Sequence, residues 1–175
     1  SSGAQKGVRV YEIGPGKGML TKELLALGAL VTAVEKDPEM AEILRTNFSA
    51  EIKKKALVVI EGDARDYTPD AVFPKGEYVI AANIPYYITG ELIRTALTSK
   101  NQPARVALLI QKEVAERIAR SKKESLLSLS VKAYGTPKII AKVSRGNFSP
   151  PPSVDSAILL IADISKAFFL DVRKE

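Results

Sequence analysis

The chain predicts an α/β fold: a mostly parallel seven-stranded sheet with an antiparallel hairpin at one edge and helices on both faces. Three observations lead there. Apolar, β-branched runs alternate with helical patterns as far as Gly135. A glycine-rich turn follows the first of these runs and opens into the first helix. The last two β runs are joined by a proline-rich loop with no helical pattern, so they pair antiparallel.

Residues 8–13 form the first expected strand. Gly14-Pro15-Gly16-Lys17-Gly18 follows, and then a helix over 19–27 that Gly28 stops. Residues 30–34 form the second strand, ending at Glu35. Asp37-Pro38 opens a helix by cap-then-proline chemistry, with Met40, Ile43, Leu44 and Phe48 as its buried stripe. Lys53-Lys54-Lys55 reads as a solvated helix end. The third strand, 57–60, ends at Glu61-Gly62-Asp63-Ala64, and the fourth, 78–82, leads into Asn83. Thr89 is expected to cap a helix to about Ser99. A fifth strand over 105–110 and helices over 112–120 and 126–134 follow, with Gly135 as a stop. The closing β runs are 138–143 and 157–161. Residues 1–164 are expected to form one core, and Ala167-Phe168-Phe169-Leu170 to start a further helix.

The 175 residues include no cysteine and no histidine, and the net charge is +6. Thiol nucleophiles, serine–histidine triads, disulfides and Cys/His zinc sites are thereby excluded, and no metal is expected. No apolar run reaches membrane-spanning length, and the first residues show no secretory pattern. A cytoplasmic monomer without a membrane partner is expected. The basic balance suits a polyanion, most often nucleic acid.

Ligands of such sheets bind beyond the carboxyl ends of the strands. Four expected elements end there in glycine or polar residues: the glycine turn, Glu35, Asp63 and Asn83. Glycines let the backbone turn sharply and approach a ligand. A carboxylate at Glu35 can take both hydroxyls of a ribose, and Asp63 can accept from an adenine amine. These roles describe an adenosine-containing cofactor. The G-x-G-x-G spacing is one residue shorter than the dinucleotide fingerprint, and Glu12 precedes it. No G-x-x-x-x-G-K-[ST] occurs. At the fourth strand, Asn83-Ile84-Pro85-Tyr86 is stiff and polar. Its side-chain and backbone carbonyls suit a planar group with an exocyclic amine, and Tyr86 offers a face for stacking. Read alone, the same residues could equally be a strand end and helix entry, with Asn83 capping and Tyr86 in the core.

In one order stand Glu12-x-Gly14-x-Gly16-x-Gly18, Glu35, Gly62-Asp63-Ala64, Asn83 to Tyr86, Gln111-Lys112-Glu113-Val114-Ala115 and the run from Phe148 to Ser156, FSPPPSVDS. Together these resemble the ribosomal RNA adenine N6-dimethyltransferase family of Rossmann-like class I methyltransferases, from about Val8 to Ile161. The resemblance implies S-adenosyl-L-methionine as cofactor, held by Glu12, Gly14, Gly16, Gly18, Glu35, Lys36, Asp63, Ala64 and Asn83. The loop would contact the methionine part, Glu35 the ribose and Asp63 the adenine. Asn83 and Pro85 would hold the target amine, and Tyr86 and Phe148 would sandwich the base. Lys112, Arg117, Arg120, Lys138 and Arg145 are candidate RNA contacts. Val154-Asp155-Ser156 favours the small-subunit branch of the family, which dimethylates two adjacent adenosines of a hairpin loop within an immature ribosomal subunit. The large-subunit erythromycin-resistance branch tends to carry V-N-S. The resemblance also implies a cofactor-closing N-terminal segment with a Q-x-F-L-type motif, which this sequence lacks, and a small helical C-terminal domain, of which 165–175 would be the start after a methyltransferase core over 1–164. Three rival readings stay open: a large-subunit rRNA adenine methylase, a non-catalytic rRNA-binding assembly factor, and a nicotinamide oxidoreductase.

Overall fold

The computed structural model describes residues 7–84, 86–120, 125–148 and 151–171; the side chains of Tyr86, Leu170 and Asp171 fall outside the description. The seven strands are β1 (Arg9–Ile13), β2 (Leu30–Glu35), β3 (Leu57–Glu61), β4 (Val79–Asn83), β5 (Arg105–Gln111), β6 (Thr136–Val143) and β7 (Ser156–Ala162). They make one sheet in the order β3-β2-β1-β4-β5-β7-β6. The first five pair in parallel. β7 runs antiparallel to both β5 and β6, so the late pair closes that edge as expected.

Side chains alternate across the sheet with a period of two. Tyr11, Ile13, Ile80, Ala82, Val106, Leu108 and Ile110 enter the larger apolar cluster. It is completed by α5 (Thr89–Thr98), α6 (Lys112–Ala119) and α7 (Leu126–Tyr134), through Leu92, Ile93, Leu97, Ile118 and Val131. Val10, Val31, Ala33, Leu57, Val79 and Ala81 face the other way, toward Leu24 of α1 (Met19–Ala26). α2 (Pro38–Asn47) and α3 (Ser49–Lys53) lie on the β2–β3 part of the sheet. Each fully buried Leu or Ile contributes roughly 1.5–3 kcal/mol, so the two clusters hold the strand tips in fixed register.

Several local expectations change. In α2 the deep positions are Ala41 and Leu44; Met40, Ile43 and Phe48 are only half-buried. Asp37 does cap it, Oδ1 accepting the Glu39 N–H at 2.9 Å. Thr89 is the first helical residue of α5, not its cap. It is buried, and Ile88 holds the cap position without a side-chain bond. The short helices α3 and α4 (Pro69–Val72) and two 3₁₀ turns, Tyr86–Ile88 and Arg145–Asn147, are shorter than any periodicity the sequence can display. α8 (Ala167–Asp171) docks on the core: Lys166 Nζ donates to the Ser99 carbonyl at 2.8 Å, and the Phe169 ring lies 4.7 Å from that of Tyr134.

Candidate active site at the strand tips

Strand order reverses between β1 and β4, where α/β sheets open a crevice at the carboxyl ends. Register places the tips together: Ile13 lies opposite Val34 on one side and Ala82 on the other, and Asn83 lies opposite Leu109. The glycine turn, Glu35 and Asn83 therefore meet on one rim. Because β7 is antiparallel, Ser156 lies opposite Gln111. That brings the loop carrying Phe148 to the same rim.

Each glycine of the turn has a left-handed φ: 66° at Gly14, 56° at Gly16 and 82° at Gly18. Residues with a Cβ rarely adopt that conformation. Gly14 lies against β4, where a Cβ would sit 3.4 Å from the Asn83 carbonyl oxygen. At Gly18 a Cβ would meet the Phe48 ring at 2.5 Å, so the turn is pressed onto the residue that follows α2. α1 starts at Gly18 without a side-chain cap, leaving N–H groups of its first turn directed at the rim.

Three carboxylates lie on the β1–β2–β3 side of the rim, each held in a different way. Glu12 is 1% exposed and lies under the glycine turn on the α1 side. Thr21 Oγ1 donates to its Oε2 at 2.7 Å, and Oε1 has no hydrogen-bond partner among the described residues. Burial pushes its pKa up to about 7, against the lowering effect of the Thr21 bond. Glu35 is buried at the tip of β2. Its Oε2 accepts the Gly16 N–H and its Oε1 the Asp37 N–H, both at 2.9 Å. A carboxylate has about four acceptor positions, so two remain open. Asp63 follows Gly62, whose missing Cβ leaves space for the Tyr67 ring. Its Oδ1 accepts the Arg65 N–H and Nε–H, each at 3.0 Å. Its Oδ2 accepts the Arg65 terminal guanidinium nitrogen at 2.5 Å and faces Lys36 Nζ at 3.1 Å. The hydrogen bonds from Arg65 hold this carboxyl well below the usual carboxylate range.

On the β4–β5 side of the rim, the Asn83 side chain is exposed and has no hydrogen-bond partner among the described residues. Phe148 is half-buried just after the second 3₁₀ turn. Pro85, the Tyr86 ring, Ser149 and Pro150 lie outside the described residues. The late loop is tied down by Asp155: its carbonyl accepts the Lys112 N–H and its Oδ1 the Arg145 N–H, both at 3.0 Å.

Of the candidate RNA contacts, Lys112 and Arg145 line one groove with Ser153 and Asp155. Arg117 is exposed but bonded to Glu113 at 2.8 Å, and Arg120 is exposed at the end of α6. Lys138 is exposed near the start of β6, away from the rim and from the other four. Arg65 is the residue that sequence reasoning missed. Its only signal was its place two residues after Asp63, the spacing at which an aspartate commonly accepts a backbone N–H.

A family model described as ribosomal RNA adenine dimethylase matches residues 2–173. Proteins named ribosomal RNA small subunit methyltransferase A are similar to the chain. That of Dehalococcoides mccartyi is 38% identical over 154 residues, covering 87% of this chain and 52% of its own length. That of Novosphingobium aromaticivorans is 40% identical, covering 90% and 59%. Among solved structures, a dimethyladenosine transferase from Plasmodium falciparum superposes with a TM-score of 0.80 at 33% identity, covering 97% of this chain and 60% of that one. The 23S rRNA methyltransferase ErmE superposes with a TM-score of 0.81 at 28% identity, covering 92% and 63%. The chain spans about half the length of the curated relatives it matches. On these matches, and on a sheet and rim of the kind described, the chain belongs to the ribosomal RNA adenine dimethylase family.

Proposed function

We propose that this chain is the catalytic core of an S-adenosyl-L-methionine-dependent rRNA adenine N6-dimethyltransferase. Its substrate would be two adjacent adenosines in a hairpin loop of small-subunit rRNA, within an immature subunit in the cytoplasm, and it would act as a monomer. The observation that carries the reading is Asn83: an exposed amide without a partner among the described residues, at the tip of a buried strand, beside a left-handed glycine turn. The small-subunit choice draws support from the relatives named ribosomal RNA small subunit methyltransferase A. Val154-Asp155-Ser156 bears on it less than the sequence suggested. Asp155 is a loop tie whose bond to Arg145 an asparagine oxygen would also make.

The residues present fit this cofactor. Three left-handed glycines leave bare backbone at three positions of the turn, the uncapped first turn of α1 suits a carboxylate, and Glu35 keeps two acceptor positions on the rim. When bound, S-adenosyl-L-methionine supplies an electrophilic methyl group on a sulfonium. The protein's part is placement and electrostatics. Adenine N6 is a poor nucleophile because its lone pair is delocalised into the ring. The Asn83 side-chain oxygen and the Pro85 carbonyl would accept its two N–H bonds, favouring a pyramidal nitrogen with its lone pair directed at the glycine turn. A strong base is not required before attack, because the nitrogen becomes acidic only afterwards. Extruding the target base costs a few kcal/mol, less in a hairpin loop. Stacking on Tyr86 and Phe148 would return about 1–3 kcal/mol each.

The test is incubation of the protein with methyl-labelled cofactor and immature small subunits, followed by mapping of the modified bases. Dimethylated adenine at two adjacent positions of small-subunit rRNA is expected. Label confined to large-subunit rRNA would move the assignment to the other branch. Tight subunit binding with no label would replace catalysis by an assembly role.

A further inference from the structure

Asp63 presents a conflict that the proposed function alone does not resolve. Its carboxylate would accept from the adenine amine, yet all of its roughly four acceptor positions are taken. Arg65 supplies three contacts and Lys36 the fourth. The backbone N–H of Arg65 is fixed by the turn at 63–65, and Lys36 makes a single point contact. The guanidinium is the removable partner. It is half-exposed, and it reaches Asp63 from only two residues away, so side-chain rotation alone frees the carboxylate. A second carboxylate stands ready for it. Glu91, in the first turn of α5, lines the same cavity wall as Arg65 and attracts its charge.

We propose that Arg65 is a competing latch on the adenine subsite, one that lowers its affinity for 6-amino purines. Its guanidinium fills the face of Asp63 that a 6-amino purine requires, and binding of that amine moves it toward Glu91. This rests on the adenosine-cofactor reading above and adds to it a competitor built into the chain. A purine without the amine gains nothing from opening the latch. A purine with a 6-oxo group meets a carboxylate still bonded to arginine. The latch therefore weakens the binding of 6-amino ligands alone and narrows the margin by which they are preferred over purines without the amine. A half-exposed bidentate pair is worth little more than an ordinary surface pair, which limits the effect to about threefold to tenfold in affinity.

Titration calorimetry on the protein tests this, with S-adenosyl-L-homocysteine and its analogue bearing hydrogen in place of the 6-amino group. Arg65→Ala is expected to tighten S-adenosyl-L-homocysteine about threefold to tenfold and to leave the analogue within about twofold. Arg65→Lys, which keeps the charge but loses the fork, should fall between. Glu91→Gln should weaken S-adenosyl-L-homocysteine in the wild-type background and have no effect in Arg65→Ala, as a shared latch requires. Wild-type affinity should rise with salt, because screening loosens the pair, and that rise should vanish in Arg65→Ala. Weaker binding by both Arg65 variants would make Arg65 part of the adenine platform and overturn the latch. Equal tightening of both ligands would also overturn it. If neither wild type nor variants bind S-adenosyl-L-homocysteine, while thermal melting shows them folded, the adenosine-cofactor reading falls and the latch with it.

Discussion

On the β1–β2–β3 side of the rim, the polar groups are already engaged by the protein itself. Glu12 holds Thr21, Glu35 holds two backbone N–H groups, and Asp63 is wrapped by Arg65 and Lys36. On the β4–β5 side, Asn83 stands exposed with no partner among the described residues. The first half is preorganised: its geometry is set before any ligand arrives, at the cost of buried charge. The second half is left for a ligand to complete. That division suits a small cofactor of constant shape on one side and a base delivered by a large, variable RNA on the other. Mutations on the first side should disturb stability and cofactor binding together. Mutations on the second should change turnover and leave both intact.

The sharpest separation is expected at Asn83. Asn83→Ala should lower the methylation rate on the order of 10²–10³-fold, the usual size for loss of one transition-state hydrogen-bonding group. Its melting temperature and its calorimetric affinity for S-adenosyl-L-homocysteine should stay near wild type. A parallel loss of cofactor affinity would merge the two sides and end the contrast.

Glu12 provides the opposite case, a stability effect that should appear without any substrate. Its folded-state pKa is raised from the ordinary carboxylate value to about 7 by burial. The native state then holds a proton that the unfolded state has released. The contribution to stability is fully present below the unfolded value and is lost as pH rises through about 7. The shift corresponds to an effect of up to about 3 kcal/mol. Urea denaturation of wild type and Glu12→Gln across pH 4 to 8 should diverge in slope over that window and run parallel above it. Parallel curves throughout would mean that the carboxylate is hydrated.

Glu35 tests whether preorganisation and binding are coupled. Glu35→Ala removes the acceptor of the Gly16 and Asp37 N–H groups as well as the proposed ribose contact. Hydrogen bonds to a charged group are worth about 1.5–3 kcal/mol, so cofactor affinity should fall about tenfold to a hundredfold, with a lower melting temperature. Loss of affinity alone would mean that the turn keeps its shape without Glu35.

The sequence was legible where a pattern is long or chemically singular. The seven strands, the glycine turn, the Asp37 cap and the antiparallel edge follow from alternation, left-handed glycines and cap chemistry, all of which are local. The placement of Glu35 and Asn83 on one rim followed from the rule that strand tips carry the ligand. Whether a carboxylate is free was not legible, because it depends on partners brought in by folding. The saturation of Asp63 by Arg65 and the burial of Glu12 over α1 are of that kind. Thr89 was misjudged for a related reason. A threonine near a helix start reads as a cap, yet here it is buried as the first helical residue against the core.

The smallest expected effect lies on the target side, among the cations. Lys112 and Arg145 share a groove with the late loop, whereas Lys138 sits near the far end of β6. If that groove carries an RNA phosphate, Arg145→Ala should weaken RNA binding only a few-fold at moderate salt and reduce the slope of log affinity against log salt by about 1. Lys138→Ala should leave the slope unchanged. Filter binding of an rRNA hairpin across a salt series would distinguish them. Arg145 also donates its N–H to Asp155 and its guanidinium to the Ser153 carbonyl. The backbone bond survives truncation and the side-chain bond does not. A loosened loop would lower turnover without changing the salt slope, whereas loss of a phosphate contact must change the slope. The slope is therefore the measurement that separates an RNA contact from a loop tie.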